Sequence, residues 1–335
     1  MDTYFFSMER RTIVAIVICC LTIMIGQPVW AQVKNYYGEK STAPVIPPKE
    51  QRIRVIIASD AATEVDDVWA ISLALLYPER FEIEGFVGGN FDYGMLGEFG
   101  PESIEKSTAL IRTILSKAGM AGKYPVYAGS QPMQYHSTSN KSPGVDFIIK
   151  RAMAGTPENP LWIIGLGSAT DIAAAYLQEP AIKDRIVVFW HGRTQWPFKA
   201  YNYNIFGDMH AARILFHTPL PFVLFDTGGQ LSASMEDSKA HVKPYGELGE
   251  YLYNYRLKNE QWKSANRGFF DMGDIAVLID PEIGKWEAAT CPTIEPDLTY
   301  NFYRSNGKLL RCYDADREKT FELLYKKLKE KYEKN

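Results

Sequence analysis

The sequence predicts an α/β fold built on an open, mostly parallel sheet with helices on both faces, a Rossmann-like architecture. Short apolar segments without polar alternation are typical of strands that are buried on both sides. These segments alternate with longer segments of helical length, and such alternation favours a parallel sheet. The predicted strands are residues 54–58, 83–87, 125–128, 161–164, 186–190 and 222–225.

The predicted helices lie between these strands and cover residues 66–77, 103–117, 170–178 and 208–217. Gly119 and Pro180 follow two of the helices and are typical helix stops, while Asp208 is a suitable N-cap. Residues 316–335 form a further predicted helix, charged and amphipathic, that packs through one apolar side.

Residues 229–270 interrupt this alternation with aromatic side chains set among charges. One interpretation is a pair of amphipathic helices packed on the sheet, and the other is an aromatic cap over a flat ligand. Both interpretations stay open at this point. The aromatic residues concerned are Tyr245, Tyr251, Tyr253, Tyr255 and Trp262.

Length and composition favour a single globular domain over residues 51–335. The chain has 335 residues, of which 46% are hydrophobic and 23% charged, with a formal net charge of -3. These values are ordinary for a globular protein with a sizeable core. The weak negative charge argues against a nucleic-acid partner, which would need a concentrated basic face.

Residues 1–31 have the layout of a secretory signal peptide. Glu9-Arg10-Arg11 precede an apolar run over residues 12–25, and Val29-Trp30-Ala31 resembles a cleavage site. The run is shorter than the roughly 20 residues that a membrane-spanning helix needs. We therefore expect a periplasmic or secreted protein without stable membrane insertion after signal removal. A proline-containing linker over residues 32–50 would precede the domain.

Cys291 and Cys312 are the two cysteines that remain after the predicted signal peptide. Two cysteines are too few for a disulfide scaffold or a structural zinc site. In an oxidising compartment they could pair with each other, or both could stay buried as thiols. The sequence leaves this alternative open.

The turn between the first predicted strand and the first predicted helix carries four acids within eight residues. They are Asp60, Glu64, Asp66 and Asp67. One or two acids would suit a helix N-terminus, which favours negative charge. Four converging carboxylates repel one another unless a cation is present, and hard oxygen ligands suit Ca²⁺ or Mg²⁺. The turn therefore predicts a metal site rather than simple helix capping.

Polar and small residues also follow the other predicted strands. In open α/β sheets, ligands bind outside the carboxyl ends of the strands, where such residues gather. This placement predicts one ligand site at that edge of the sheet. The segments are Gly88-Gly89-Asn90, Gly129-Ser130, residues 167–171 and His191-Gly192-Arg193.

Six segments in this order resemble the motifs of the nucleoside hydrolases, the inosine–uridine-preferring N-ribohydrolase family. The first contains the paired aspartates Asp66-Asp67, and the last carries Asp271. The resemblance extends over roughly residues 53–320, and each motif is weak by itself. The segments are residues 55–75, 86–90, 125–129, 163–173, 203–212 and 270–281.

This resemblance implies Ca²⁺-dependent hydrolysis of the N-glycosidic bond of a ribonucleoside, with release of ribose and a nucleobase. It implies Asp67, Asp271 and the backbone carbonyl of Thr170 as Ca²⁺ ligands. Ribose hydroxyls would be bound by Asp66 and by three asparagines. The partner would be a small-molecule nucleoside, and since family members are commonly oligomers, a homo-oligomer is also expected. The three asparagines are Asn90, Asn202 and Asn204.

Three positions depart from the family pattern. Ala62 stands where an acid usually precedes the paired aspartates, so Asp60 would have to take over as catalytic base and as a further metal ligand, with Glu64 as the alternative base. Asp60 and Asp66 are the predicted catalytic residues. Phe270 stands where a histidine often assists departure of the base. Asn202 stands where a glutamate is common near the ribose 5′-hydroxyl. His136 and His191 are the candidates for a replacement acid.

These departures keep two alternatives to the hydrolase interpretation open. One is a non-catalytic protein that binds nucleosides or ribose on the same fold. The other is a metal-dependent hydrolase of another ribosyl compound, since a fold can carry different chemistries.

Overall fold

The computed structural model describes residues 42–91 and 102–333 of the chain. The predicted signal peptide and the first part of the predicted linker lie outside the described residues. The described residues belong to one compact unit. Within this part of the chain, no helix is both long and apolar enough to cross a membrane.

Ten strands form the sheets in the part of the chain that the structure describes. They are β1 (Ile53–Ser59), β2 (Phe81–Gly88), β3 (Val126–Ala128), β4 (Leu161–Gly165), β5 (Ile186–His191), β6 (Phe222–Phe225), β7 (Gly284–Thr290), β8 (Thr293–Ile294), β9 (Tyr300–Asn301) and β10 (Lys308–Ala315). Eight of them form one sheet in the order β3-β2-β1-β4-β5-β6-β10-β7, and β8 pairs with β9. All neighbours in the large sheet are parallel except β10 and β7. The predicted α/β fold with a mostly parallel sheet is confirmed.

Within the described residues, ten α-helices cover the two faces of this sheet. They are α1 (Asp66–Leu75), α2 (Ser103–Lys117), α3 (Pro143–Met153), α4 (Thr170–Gln178), α5 (Tyr203–Gly207), α6 (Met209–His217), α7 (Met235–His241), α8 (Gly246–Arg256), α9 (Phe270–Ile279) and α10 (Arg317–Tyr332). Helices α1, α2, α8, α9 and α10 share one core with alternate residues of β1. Helices α3, α4 and α6 pack in sequence along the opposite face.

The strand order creates a switch point between β1 and β4. From β1 the chain proceeds outward to β2 and β3, then crosses back to β4 and continues the other way. The two connections after β1 and β4 therefore diverge and leave a crevice at the carboxyl ends of these strands. This position is where open α/β sheets bind their ligands.

The strands and helices predicted from apolar runs are confirmed with shifts of one or two residues at their ends. Helix α3 and the antiparallel pair β7 and β10 were not among the predicted elements. Asp208 caps α6 as predicted, because its side chain accepts a hydrogen bond from the Ala211 backbone amide at 2.9 Å.

Cys291 and Cys312 are both buried, and the register of the β7/β10 pair keeps them apart. Cys312 lies opposite Trp286, whereas Cys291 follows Thr290, which lies opposite Lys308. Four residue positions along a strand correspond to about 13 Å, well beyond the roughly 7 Å that limits the Cα separation in a disulfide. The alternative left open by the sequence is thereby resolved in favour of two buried thiols.

Arg80 anchors the segment that leads into the domain. Its guanidinium is buried and donates hydrogen bonds to the carbonyls of Pro47 at 2.9 Å, Pro48 at 2.6 Å and Leu278 at 2.5 Å, and also to that of Gln51. These carbonyls belong to residues 47–51 and to α9. One side chain thus ties the entry of the domain to the helix that carries Asp271.

We predict that Arg80→Ala lowers the free energy of unfolding by about 3 kcal/mol, because buried carbonyls lose charged donors. Urea unfolding followed by circular dichroism measures the change. Arg112→Ala is the matched control, since Arg112 is exposed and donates to a single carbonyl, that of Val126. Equal midpoints for the two variants would contradict the anchoring role of Arg80.

Candidate active site

The β1–α1 connection places three carboxylates at the switch point. Asp60 follows β1 directly, and Asp66 and Asp67 are the first two residues of α1. All three are buried, with exposures of 3–4%. Ser59 donates a hydrogen bond to Asp67 Oδ1 at 2.5 Å, which fixes that carboxylate against the end of β1.

Helix α9 brings a fourth carboxylate, Asp271, to the same place. The Phe270 backbone amide donates to Asp66 Oδ2 at 3.1 Å across 204 residues of sequence. Asp66, Asp67 and Asp271 each offer an oxygen, and these oxygens lie within 4.8 Å of one another. The predicted meeting of the two distant motifs is therefore present in the structure.

The surroundings of the four carboxylates disfavour their charged form. Burial raises the pKa of Asp60 to about 7 and that of Asp66 to about 6. Burial, reinforced by neighbouring carboxylates, raises the pKa of Asp67 and of Asp271 well above the usual value. A bound cation would offset this repulsion and keep the group ionised. An all-carboxylate donor set fits a hard divalent cation.

His191 and Asp274 extend the cluster on the side of β5. His191 Nδ1 lies 2.7 Å from Asp274 Oδ2 and 3.5 Å from Asp271 Oδ1. Burial disfavours the charged imidazole, but the Asp274 and Asp66 carboxylates outweigh it and raise the pKa of His191. Asp274 was missed from the sequence. Its signal is the spacing of three from Asp271, which places both on one side of a helix.

Asn90 and Thr170 form a buried network beside the acids. Asn90 Nδ2 donates to Thr170 Oγ1 at 2.9 Å, and Thr170 Oγ1 donates to Asp208 Oδ2 at 2.9 Å. Among the described residues, Asn90 Oδ1 is buried without a hydrogen-bond partner. A buried, unpaired amide oxygen has capacity for a donor such as a ligand hydroxyl. The roles predicted for Asn90 and for the Thr170 carbonyl stay predictions.

Asn202 and Asn204 enter the site from the start of α5. Asn204 Nδ2 donates to the carbonyls of Leu166 at 2.9 Å and His191 at 3.1 Å. Both amide hydrogens of Asn204 are thereby used, so its Oδ1 is the group left for a ligand. Asn202 Oδ1 accepts from the Asn204 backbone amide at 2.7 Å, which makes Asn202 the cap of α5.

A cavity of about 450 Å³ is lined by the four acids, His191, Asn202 and Asn204, and arginines lie at its outer wall. Asn90, Thr170 and Asp274 are not part of the lining that the described residues form. Two guanidinium groups lie over the Phe270 ring, that of Arg193 at 4.2 Å from its centroid and that of Arg267 at 5.3 Å. Arg267 forms an ion pair with Glu64 and lies 3.5 Å from Asp66 Oδ1. The sequence placed Arg193 in a segment at the predicted ligand edge, but it indicated a role for neither arginine, because neither belongs to a motif with a chemical signature.

Two sequence interpretations concern side chains that lie elsewhere. The five aromatic residues named for 229–270 belong to helix α8, its N-cap and the 3₁₀ turn that follows, and Tyr251 and Trp262 pack against the core. The described cavity lining contains none of them, which supports the amphipathic-helix interpretation. His136 packs against the rings of His210 and His217 and is also absent from that lining.

The fold and the site together define an α/β protein with an acidic, metal-competent pocket at the carboxyl edge of its sheet. The family model for inosine-uridine preferring nucleoside hydrolases matches residues 55–299, and the chain belongs to this family. The resemblance predicted from six motifs is therefore confirmed.

Similar curated proteins are ribonucleoside hydrolases. A putative pyrimidine-specific ribonucleoside hydrolase of Shigella dysenteriae is 28% identical over 194 residues, which are 54% of this chain and 68% of the relative. A pyrimidine-specific ribonucleoside hydrolase of Escherichia coli is 28% identical over 194 residues, with 54% of this chain and 59% of the relative covered.

Solved structures share the fold over most of the chain. A purine-preferring ribonucleoside hydrolase from Gardnerella vaginalis has a TM-score of 0.66 at 21% identity, covering 84% of this chain and 100% of that structure. An inosine-uridine preferring nucleoside hydrolase from Bacillus anthracis has a TM-score of 0.63 at 15% identity, covering 83% and 99%. At these identities the likeness shows the fold alone.

We predict that Gly167→Ala weakens Ca²⁺ binding about tenfold or more by displacing the Asp60 carboxylate. A Cβ at position 167 would lie 2.6 Å from Asp60 Cγ, closer than packed atoms approach. Gly89→Ala is the control, because a Cβ there would meet Ser59 at an ordinary 3.6 Å. Calorimetric titration with Ca²⁺ compares the two. Equal dissociation constants would show that the position of Asp60 does not matter to the metal.

Proposed function

We propose that this protein is an exported, Ca²⁺-dependent hydrolase of the N-glycosidic bond of ribonucleosides. The reaction breaks the bond between ribose C1′ and the base nitrogen, and water supplies a hydroxyl to the sugar and a proton to the base. Membership of the nucleoside hydrolase family supports this activity. The observation that carries the proposal is the convergence of Asp60, Asp66, Asp67 and Asp271 in one buried cluster.

Asp67, Asp271 and Asp66 are the residues that would hold the metal. Their oxygens lie close together, and all three side chains are buried away from competing water. When bound, Ca²⁺ would hold ribose hydroxyls and lower the pKa of a water molecule. The Asp60 carboxylate and the Thr170 carbonyl are further proposed ligands, since Asp60 directly follows β1 and Thr170 is the first residue of α4 at the same edge of the sheet.

Asp60 is the better placed candidate for the base that receives a proton from water. Asp60 is buried at the floor of the cavity, whereas Glu64 is 41% exposed and paired with Arg267 at the outer wall. Asp66 is held by the Phe270 amide, so its carboxylate is oriented for hydrogen bonding to the sugar. With Asp66 binding the sugar, Asp60 can act as the base although Ala62 replaces the usual acid.

Departure of the base is proposed to rely on stacking rather than on a histidine at position 270. Phe270 and Tyr203 offer aromatic surfaces at the cavity. Flat heteroaromatic rings stack favourably on such surfaces. Ribose would lie at the acidic floor, where Asn204 Oδ1 and Asn90 Oδ1 are the remaining amide acceptors.

A non-catalytic nucleoside-binding protein is the second candidate, and Ala62 is the observation that favours it. An acid at that position is usual in the pattern this chain resembles, and Ala62 removes a carboxylate from the turn. The two candidates share the binding site and differ in turnover. Release of free ribose therefore decides between them.

We predict that the purified protein releases ribose from uridine or inosine with Ca²⁺ present and that chelation with EGTA abolishes the release. Asp67→Asn and Asp271→Asn should each lower kcat/KM about 100-fold or more, because each removes a charged oxygen ligand. Asp146→Asn is the control, since Asp146 is exposed on α3. A reducing-sugar assay measures release. Full activity in EGTA would exclude the metal role.

We predict that Asp60→Asn lowers kcat about 100-fold or more, while Glu64→Gln lowers it less than tenfold. The reason is that Asp60 lies among the buried acids and Glu64 at the outer wall. Single-turnover measurements at saturating Ca²⁺ separate this effect from lost metal. The opposite order of the two variants would assign the base to Glu64.

A further inference from the structure

The cavity is electrostatically divided between an acidic floor and a cationic outer wall. Asp60, Asp66, Asp67 and Asp271 line the inner part, and Arg193 and Arg267 line the outer part. A neutral nucleoside needs no cation at the outer wall. The two guanidinium groups at the outer wall therefore indicate a further ligand group or an internal partner for each.

The two arginines differ in how they are paired. Arg267 is held by Glu64 and Asp66, so its charge is balanced within the protein. Across residues 42–91 and 102–333, no acidic side chain lies within ion-pairing distance of Arg193. By contrast, Arg311 at the neighbouring β10 is paired with both Asp226 and Glu287. Of the two cavity-lining arginines in the described residues, Arg193 is therefore the one without an acidic partner.

An unpaired surface arginine is common, but the backbone of Arg193 is not that of an ordinary surface residue. Its φ is 36°, in the left-handed region that non-glycine residues seldom adopt. The strain is held in place because the Arg193 amide donates to the Phe225 carbonyl at 3.2 Å and its carbonyl accepts from Asn202 at 3.3 Å. Strained residues that the fold holds in this way concentrate at functional sites.

The side chain of Arg193 is also positioned rather than loose. Its guanidinium stacks over Phe270 with 4.2 Å to the ring centroid. Gly229 lies next to the guanidinium as well, since a Cβ there would be in ordinary van der Waals contact, 3.7 Å from both Nε and one terminal nitrogen. A planar guanidinium fixed in this way presents parallel N–H donors, the geometry that matches a carboxylate or a phosphate.

We propose that the pocket takes a ribosyl compound that carries an anionic group and that Arg193 binds this group. The inference rests on the proposed function, which places ribose on the acidic floor. The anion is a phosphate on the ribose 5′-oxygen or a carboxylate on the base, because only substituents away from the 2′- and 3′-hydroxyls can reach the outer wall. The same four acids would repel an anion placed deeper in the cavity.

The experiment compares kcat/KM for uridine, uridine 5′-monophosphate and orotidine at fixed free Ca²⁺ and ionic strength. We expect at least one anionic compound to exceed uridine about tenfold or more. Arg193→Gln should reduce that ratio about tenfold, and Arg193→Lys should retain part of it because the charge remains. The compound that shows the preference identifies the phosphate or the carboxylate as the anion.

Lys183→Gln is the matched control for loss of one positive charge. Lys183 precedes β5, whose opposite end carries Arg193, and six residues of strand place the two about 20 Å apart. This variant should keep the wild-type ratio. A wild-type preference for uridine, or an equal ratio in wild type and Arg193→Gln, would overturn the assignment.

A binding experiment separates this inference from the proposed hydrolysis. Calorimetry with Ca²⁺-loaded protein compares ribose with ribose 5-phosphate, and uridine with the two anionic nucleosides. If no compound is hydrolysed but an anionic one binds more tightly through Arg193, the anion site stands and the hydrolase proposal fails. If hydrolysis occurs without any anionic preference in turnover or binding, the hydrolase stands and the anion site falls. Absence of binding by every compound overturns both.

Discussion

The burial of four carboxylates at one switch point is the constraint on which the rest of the site depends. Asp60, Asp66, Asp67 and Asp271 are almost completely removed from water, and the protein itself supplies them with few donors. Such a cluster is costly as four anions and useful only with a cation among them. The sheet leaves room for such a cation. The connections after β1 and β4 diverge, and the crevice between them is not filled by side chains alone.

The apolar core sets the geometry of that cluster. All ten residues of α1 are buried, and α9 is buried from Asp271 to Ile279, so both helices pack on every side. Trp69 of α1 packs on Phe269, with 4.6 Å between ring centroids, directly before the start of α9. This contact, together with the Phe270–Asp66 hydrogen bond, sets the position of Asp271 relative to Asp67. Helix packing thereby fixes a ligand set whose members lie far apart in the sequence.

The sequence predicted what local pattern encodes and missed what long-range packing decides. Uninterrupted apolar runs identified β1 to β6, and the acid-rich turn identified Asp66 and Asp67, because both signals lie within a dozen residues. The meeting of Asp67 with Asp271 came from the family resemblance, not from periodicity. Asp274, Arg193 and Arg267 were missed, since a lone acid or arginine acquires its role from partners such as His191, Phe270 and Glu64. Helix α3 was missed although Val145, Ile148 and Ala152 give it a buried apolar stripe.

The departures from the family pattern lie together at the outer wall of the cavity, and their effects on its charge agree with one another. Phe270 stands where the resemblance places a histidine, and in this chain two guanidinium groups lie over its ring. Glu64, the acid that the pattern lacks, balances Arg267 and leaves Arg193 as the unbalanced cation. Asn202, in place of a glutamate, adds no negative charge and instead holds the Arg193 carbonyl. A histidine at position 270 would gain a proton less readily beside two arginines, since like charges disfavour the protonated ring. The cationic wall and the loss of a histidine at this position therefore belong to one electrostatic arrangement.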